Sequence, residues 1–512
     1  MSSVPQTSYR LQHDHPVIEM PPSRRLSLFA LVCVIYFTVS GGAFGVEPLV
    51  AAVGPGLAVL LIVVTPFVWS LPMALMVAEL ATLIPEEGGY YVWVKESLGN
   101  FWGVQEAWWT MGYSIAVIAM LPQLFVTYLS FFIQAVAPVI DLTHGSSGPF
   151  FRWLLAVAII LVATVVNLLG ARDVGRSSTI SAALVVGSFV TLVLVWALRH
   201  AAMSNVVGIV HRDLISNRTG ALLLGLSYIV FNYSGWDNVS TYAAEVDRPQ
   251  RNYPRAIAVA LVIVLLGYLL PVLAGIGTTT DPALWTNDAG WPVIAQLIGG
   301  RWLGSLVAAG GLVSAWALVN AQLFYVSRLP LVLARDGWLP RRLAQASPDS
   351  GAPKAAVIVC ALITAILTAF SFGALAVIQC LLYAGALTLE FLALIILRLR
   401  RPHAPRPFRV PGGWLGLGYV CLAPFAFCAL VLSATLKDWR SFAGQIAVVG
   451  FVIASGAVLY LVRRRSLLSP RVQNAAADIK LAVDAPSAGT EEITWRYLRR
   501  EGQNGGGEWS QK

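Results

Sequence analysis

The chain has 512 residues, 57% hydrophobic and 12% charged, with a mean hydropathy of +0.71. So little charge cannot cover a water-exposed surface, which excludes an ordinary soluble domain. The formal net charge of +9 does not call for a nucleic acid: with the N-terminus in the cytoplasm, Lys and Arg gather in the loops of that side, the bias that orients membrane proteins.

A crossing needs about 20 apolar residues. The sequence then divides into about 12 transmembrane helices, near 26–53, 56–83, 101–136, 150–169, 177–198 and 219–244, followed by 256–275, 302–327, 355–372, 374–397, 414–436 and 442–462. Residues 1–25 are polar and end in Arg24-Arg25; they are expected to form a cytoplasmic tail with no cleaved signal peptide. The transporter domain is expected over 26–463, and 464–512, polar and Gly-rich, as a disordered cytoplasmic tail. Cys33, Cys360, Cys380, Cys421 and Cys428 lie in apolar spans at spacings without metal or redox pattern, so they read as small core residues.

The first span contains S-G-G-A-F-G, Ser40 to Gly45. Each glycine costs a helix about 1 kcal/mol relative to Ala, and lipid cannot hydrogen-bond an opened backbone. Gly41, Gly42, Ala43, Phe44 and Gly45 therefore read as a helix break lining half of a substrate site; close packing by small residues is the alternative. Glu47 begins the second half-helix, where the dipole favours an anion. It reads either as a built-in anion for an amine or as a cap. Glu79, at the end of the second span, is either a proton site or gate, or a hydrogen-bonded structural acid. P-E-E-G-G-Y-Y-V-W-V-K-E-S-L-G, Pro85 to Gly99, predicts a short amphipathic element whose Tyr90, Tyr91 and Trp93 suit a membrane interface.

A second break is expected in the sixth span, F-N-Y-S-G-W-D-N, at Phe231, Asn232, Tyr233, Ser234, Gly235, Trp236 and Asp237. Its distance from the first suits two inverted five-helix repeats, about 26–198 and 219–398, with broken helices 1 and 6. Two extra helices, about 414–463, serve as scaffold or subunit contact. Asp237 reads as an ammonium partner or as a cap, and Tyr233 and Trp236 as cation–π partners or packing. Gly277 to Gly300, with Trp285 and Trp291, is expected to cover an outer vestibule. Asn217, in N-R-T, lies in an outer loop.

Within the spans only Glu47, Glu79, Glu106, Asp237 and Glu390 are ionisable, and all are acids. Such groups are costly and functional by default. No histidine reaches the core, so proton coupling must use carboxylates, and the ligand is expected to be cationic. Glu390 falls seven residues after Tyr383, on nearly the same helix face; the two read as a second amine or proton site. No catalytic, phosphate-loop or cofactor motif is present, so neither enzyme nor cofactor is expected.

S-G-G-A-F-G-V-E-P, A-E-L-A-T-L-I-P-E-E-G-G-Y-Y-V-W-V, F-N-Y-S-G-W-D-N-V-S-T, A-A-E-V-D-R-P-Q-R-N-Y-P-R-A and L-Y-A-G-A-L-T-L-E-F together resemble the amino acid–polyamine–organocation permeases, over about Arg25 to Val462. The resemblance implies an all-α, LeuT-like 5+5 inverted repeat, alternating access and proton-linked symport or exchange. F-G-V-E, P-F-V-W-S-L-P and T-L-E-F look closest to its polyamine:proton symporters, which makes Glu47, Asp237 and Glu390 amine-facing acids of one pocket between the breaks. Plant-type carriers differ in having an acid where Pro48 stands and another in span three, near Val117 here. Expected partners are a small-molecule substrate (polyamine or amino acid), protons and the lipid bilayer, in the plasma membrane with both termini cytoplasmic. An amino acid permease, with the substrate carboxylate on the amides near Gly41 and Gly42, and a substrate-sensing receptor on a carrier fold are the alternatives.

Overall fold

The computed structural model describes residues 28–84, 88–136, 148–169, 174–200, 203–216, 222–238, 249–286, 290–345, 347 and 353–467. The two tails, the sequon at Asn217 and the connector 239–248 after the second break lie outside them. Eight helices among the described residues are long and apolar enough to cross a membrane. The broken first span, the helices Val174–His200 and Leu222–Asn232, and the short Lys354–Leu367 complete the expected twelve. We call the side where span one starts the near face and the other the far face.

Span one starts as Leu28–Val39, opens over residues 40–46 and resumes at Glu47. Helix Glu47–Thr65 then kinks at Gly54, φ 81° and ψ 164°, with Pro55 just beyond. That turn ends span one and starts span two, and the Asp213 carboxylate accepts the Gly56 N–H at 2.8 Å. Asp213 belongs to helix Met203–Ser216, in a stretch expected to be loop. In span two, Pro66 has no N–H to give the Ile62 carbonyl, and the helix widens over Pro66–Ser70. The Tyr233 hydroxyl donates to that carbonyl at 3.0 Å, so the second break repairs the second span.

Helix contacts follow the two-repeat pattern. Span three packs on span ten as span eight packs on span five, and span three on span nine as span eight on span four. Spans three and eight, the equivalent members of the two halves, also pack on each other. Exchange of the halves therefore preserves the pairings, as an inverted repeat requires. Spans eleven and twelve stand outside this pattern, and Phe451 is 72% exposed, a surface suited to lipid.

On the near face, the Gly89–Leu98 helix confirms a short element, but its aromatic residues are not at an interface. Tyr90, Tyr91 and Trp93 are buried: Tyr90 bonds the Tyr325 hydroxyl, Tyr91 donates to Asp336 at 2.5 Å and Trp93 to the Ile84 carbonyl at 3.2 Å. Their polar tips find protein partners, which removes any need for headgroups. Burial and Asp336 together raise the Tyr91 phenol well above its usual range. Lys95 reaches the same carboxylate at 2.6 Å.

Glu79 is fully buried between spans two and ten. It accepts from Arg398 Nε at 2.8 Å, from a second Arg398 nitrogen and from the Val410 N–H at 2.8 Å, and Arg406 Nε stands 3.2 Å away. A buried pair missing one partner leaves an uncompensated charge, at a cost of about 3–5 kcal/mol. Glu79→Gln should accordingly lower the unfolding temperature of the detergent-solubilised protein sharply; unchanged melting would show that the pair holds nothing together. Gly42 has φ +89°, and a Cβ there would sit 2.8 Å from Val185 Cγ1. Gly42→Ala should cost about 1–3 kcal/mol from backbone strain alone, and a melting curve superimposable on the parent's would contradict this geometry.

Candidate functional site

The first break opens where Gly42 and Gly45 both take φ +89°, which L side chains resist. Its freed carbonyls are met by side chains from three other elements. Ser314 of span eight donates to Gly41 O at 2.5 Å, the Trp291 indole to Ala43 O at 2.7 Å, and Asn232 Nδ2 to Gly45 O at 2.9 Å. The Gly42 N–H donates to Ser40 Oγ at 3.2 Å.

The second break faces it. Helix Leu222–Asn232 ends in a turn through Tyr233, and Gly235 has φ 98°. Tyr268 donates to the Asn232 carbonyl at 2.7 Å, and the Gly235 N–H to the Tyr383 hydroxyl at 3.1 Å. Ser234 turns back to the Phe231 carbonyl at 2.9 Å. The half-helix expected after Asp237 lies outside the described residues.

Between the breaks is a cavity of about 40 Å³ lined by Gly41, Phe44, Tyr128, Phe231, Asn232 and Ser234, among others. It holds water at most, since pockets for small molecules are about 300–1,000 Å³. None of its lining residues is ionisable as an acid or base of the core: Glu47 and Asp237 are both absent from it. Tyr233 is turned away, with its ring against Tyr268 and its hydroxyl on span two. Trp236 is buried, its indole N–H without an acceptor among the described residues.

Glu47 lies on the far side of this cavity. One carboxylate oxygen accepts the Gly45 N–H at 2.7 Å; the other accepts from Tyr128 at 3.0 Å and from the Trp291 N–H at 3.3 Å. It caps the half-helix and ties it to the hairpin whose Trp285 and Trp291 are fully buried, so the segment expected over a vestibule is packed into the bundle. Asp237 lies on the near side, accepting from Tyr113 and Tyr383, each at 2.7 Å. Tyr113 and Tyr128 are fifteen residues apart on one helix, or about 22 Å along its axis. The single acid-lined pocket expected from the sequence is thus two separate places, because the breaks expose their acids to opposite faces.

Asp237 has the company of Glu390, which the sequence reading counted among the amine-facing acids, and of Glu106, which it left out of the site. Glu106 of span three and Glu390 of span ten are both fully buried, each about two helix turns from the tyrosine of its own helix, Tyr113 or Tyr383, that donates to Asp237. Tyr90 stands near all three, and Tyr325, bonded to Tyr90, near Asp237 and Glu106. Glu106 receives Thr110 Oγ1 at 2.7 Å. Its position near the start of its span kept it out of the expected site; the signal available was its place among the few intramembrane acids. Glu79, read either as a proton site or gate or as a hydrogen-bonded structural acid, is enclosed by Arg398 and Arg406, the arrangement of the second reading.

Residues 26–453 match the family model described as amino acid permease. The polyamine transporter RMV1 of Arabidopsis thaliana is 33% identical over 438 residues, covering 84% of each chain. The polyamine transporter PUT1 of Oryza sativa subsp. japonica is 34% identical over 444 residues, covering 86% of this chain and 78% of its own. An uncharacterized transporter of Mycobacterium tuberculosis is 30% identical over 386 residues, 72% of this chain and 80% of that one. With its helical membrane architecture and broken spans, the chain belongs to the amino acid permease family of the amino acid–polyamine–organocation superfamily, and is a multi-pass membrane transporter rather than an enzyme.

Proposed function

We propose that the protein is a proton-coupled carrier for uptake of small organic cations, polyamines first, across the plasma membrane, with both termini cytoplasmic. One observation carries this reading. Asp237 is fully buried in the second helix break, Glu106 and Glu390 lie buried about two helix turns from its tyrosine partners on the same helices, and among the described residues no basic side chain bonds any of the three. The hydroxyls of Tyr113 and Tyr383 give Asp237 two charge-assisted hydrogen bonds and orient it as an ammonium acceptor. A carboxylate able to take either a proton or an ammonium links the two binding equilibria. The names of the plant relatives agree with this substrate class.

In this reading the repeats, about 26–198 and 219–398, move relative to each other around the paired breaks, and 414–463 is scaffold. The small cavity beside Gly41 requires that movement before a substrate fits. The same cavity favours the rival reading, an amino acid permease, since no acid in its lining repels a substrate carboxylate. A transport panel separates them. In proteoliposomes, labelled putrescine and spermidine should accumulate, respond to an imposed pH gradient and outrun leucine and arginine. Asp237→Asn should reduce that uptake at least about tenfold, the scale of one lost charge-assisted contact. Leucine or arginine accumulating while polyamines are ignored would overturn the cation reading; binding without accumulation would point to a receptor.

A further inference from the structure

The buried acids of this protein are not equally provided for. Glu47 receives three protein donors, Glu79 is held by Arg398 and the Val410 amide, and Asp237 receives two tyrosine hydroxyls. Glu106 and Glu390 differ. Thr110 serves one oxygen of Glu106, but Glu106 Oε2 and both oxygens of Glu390 have no hydrogen-bond partner among the described residues, although both side chains are fully buried. Buried carboxylate oxygens without donors are expensive, and a fold that equips three acids leaves these two without donors among the described residues.

From this we infer that Glu106 and Glu390 form a second ammonium subsite beside Asp237, so that preferred substrates carry at least two ammonium groups. The inference rests on the organic-cation reading above and adds the number of charges. An alkylammonium brings three N–H donors and a positive charge together, which are the two things the open oxygens lack. Spans three and ten pack side by side, so the two carboxylates come from facing helices. Tyr90 and Tyr325 stand close by, supplying aromatic surface for an alkyl linker or for cation–π contact. Among the described residues, no group of three or more His, Cys, Asp or Glu side chains could hold a metal ion; carboxylates set apart along two helices suit separated charges on one flexible chain. A ligand with one ammonium satisfies either Asp237 or the glutamates, whereas a diamine satisfies both.

The test uses the full-length protein in proteoliposomes, with labelled putrescine uptake challenged by unlabelled butylamine, putrescine, cadaverine and spermidine. Butylamine matches putrescine in carbon chain but has one ammonium. In the parent, putrescine should compete at least about tenfold better than butylamine. Glu106→Gln should raise the KM for putrescine about tenfold to a hundredfold, the range for one charge-assisted contact. It should also bring the putrescine-to-butylamine preference toward one, while Glu106→Asp recovers part of it. Butylamine competing as well as putrescine in the parent overturns the second subsite and leaves the cation reading standing; a parent that transports leucine or arginine but neither amine overturns both. Should Glu106→Gln yield no monodisperse protein, the parent's ratio and Glu390→Gln decide: preference retained in Glu390→Gln is the contrary result.

Discussion

An opened helix inside a membrane must have its backbone hydrogen bonds supplied by the protein, and that requirement organises this molecule. Lipid offers neither donors nor acceptors. The carbonyls of Gly41, Ala43 and Gly45 are met by Ser314, Trp291 and Asn232, from three different parts of the chain. The Asn232 carbonyl, released by the second break, goes to Tyr268. Even the carbonyl orphaned by Pro66 is recovered by Tyr233 of that break. These bonds make the two breaks a single mechanical unit, with spans two, seven and eight and the far-face hairpin as its remaining members. Movement of either break must exchange these partners, which gives the carrier discrete arrangements rather than a continuum.

The acids divide along the same line. On the far side Glu47 serves the backbone, capping the resumed helix and holding the hairpin through the Trp291 amide. Toward the near side, Asp237, Glu106 and Glu390 gather three buried carboxyl groups on spans three, six and ten. A small neutral cavity separates them. In the proposed reading the far-side acid acts on conformation and the near-side group on cations, and the breaks connect the two because Gly45 is bonded to both Glu47 and Asn232.

Much of this was legible in the sequence, for physical reasons that mark its limit. Gly41, Gly42 and Gly45, and the polar run from Asn232 to Asp237, stand out because nothing in an apolar helix needs them. The long apolar stretches likewise announce the spans. What the chain cannot announce is which side chain meets which. Arg398 reads as the edge of a basic loop, yet it lies buried on Glu79, 319 positions away. Tyr90, Tyr91 and Trp93 have the composition of an interface belt, but hydroxyl and carbonyl partners within the protein claim them. Glu47 and Asp237 carry the same charge beside similar breaks, and only the fold shows that they face different ends. Glu106 was visible as an intramembrane acid; its neighbours were not.

The most direct measurement is a structure of the full-length protein determined with spermidine bound. The account predicts one amine nitrogen within hydrogen-bond reach of the Asp237 carboxylate and another within reach of Glu106 or Glu390, with the alkyl chain beside Tyr90 and Tyr325. Spermidine lodged against Glu47, or a site in which none of the three near-side carboxylates touches the amine, would contradict it.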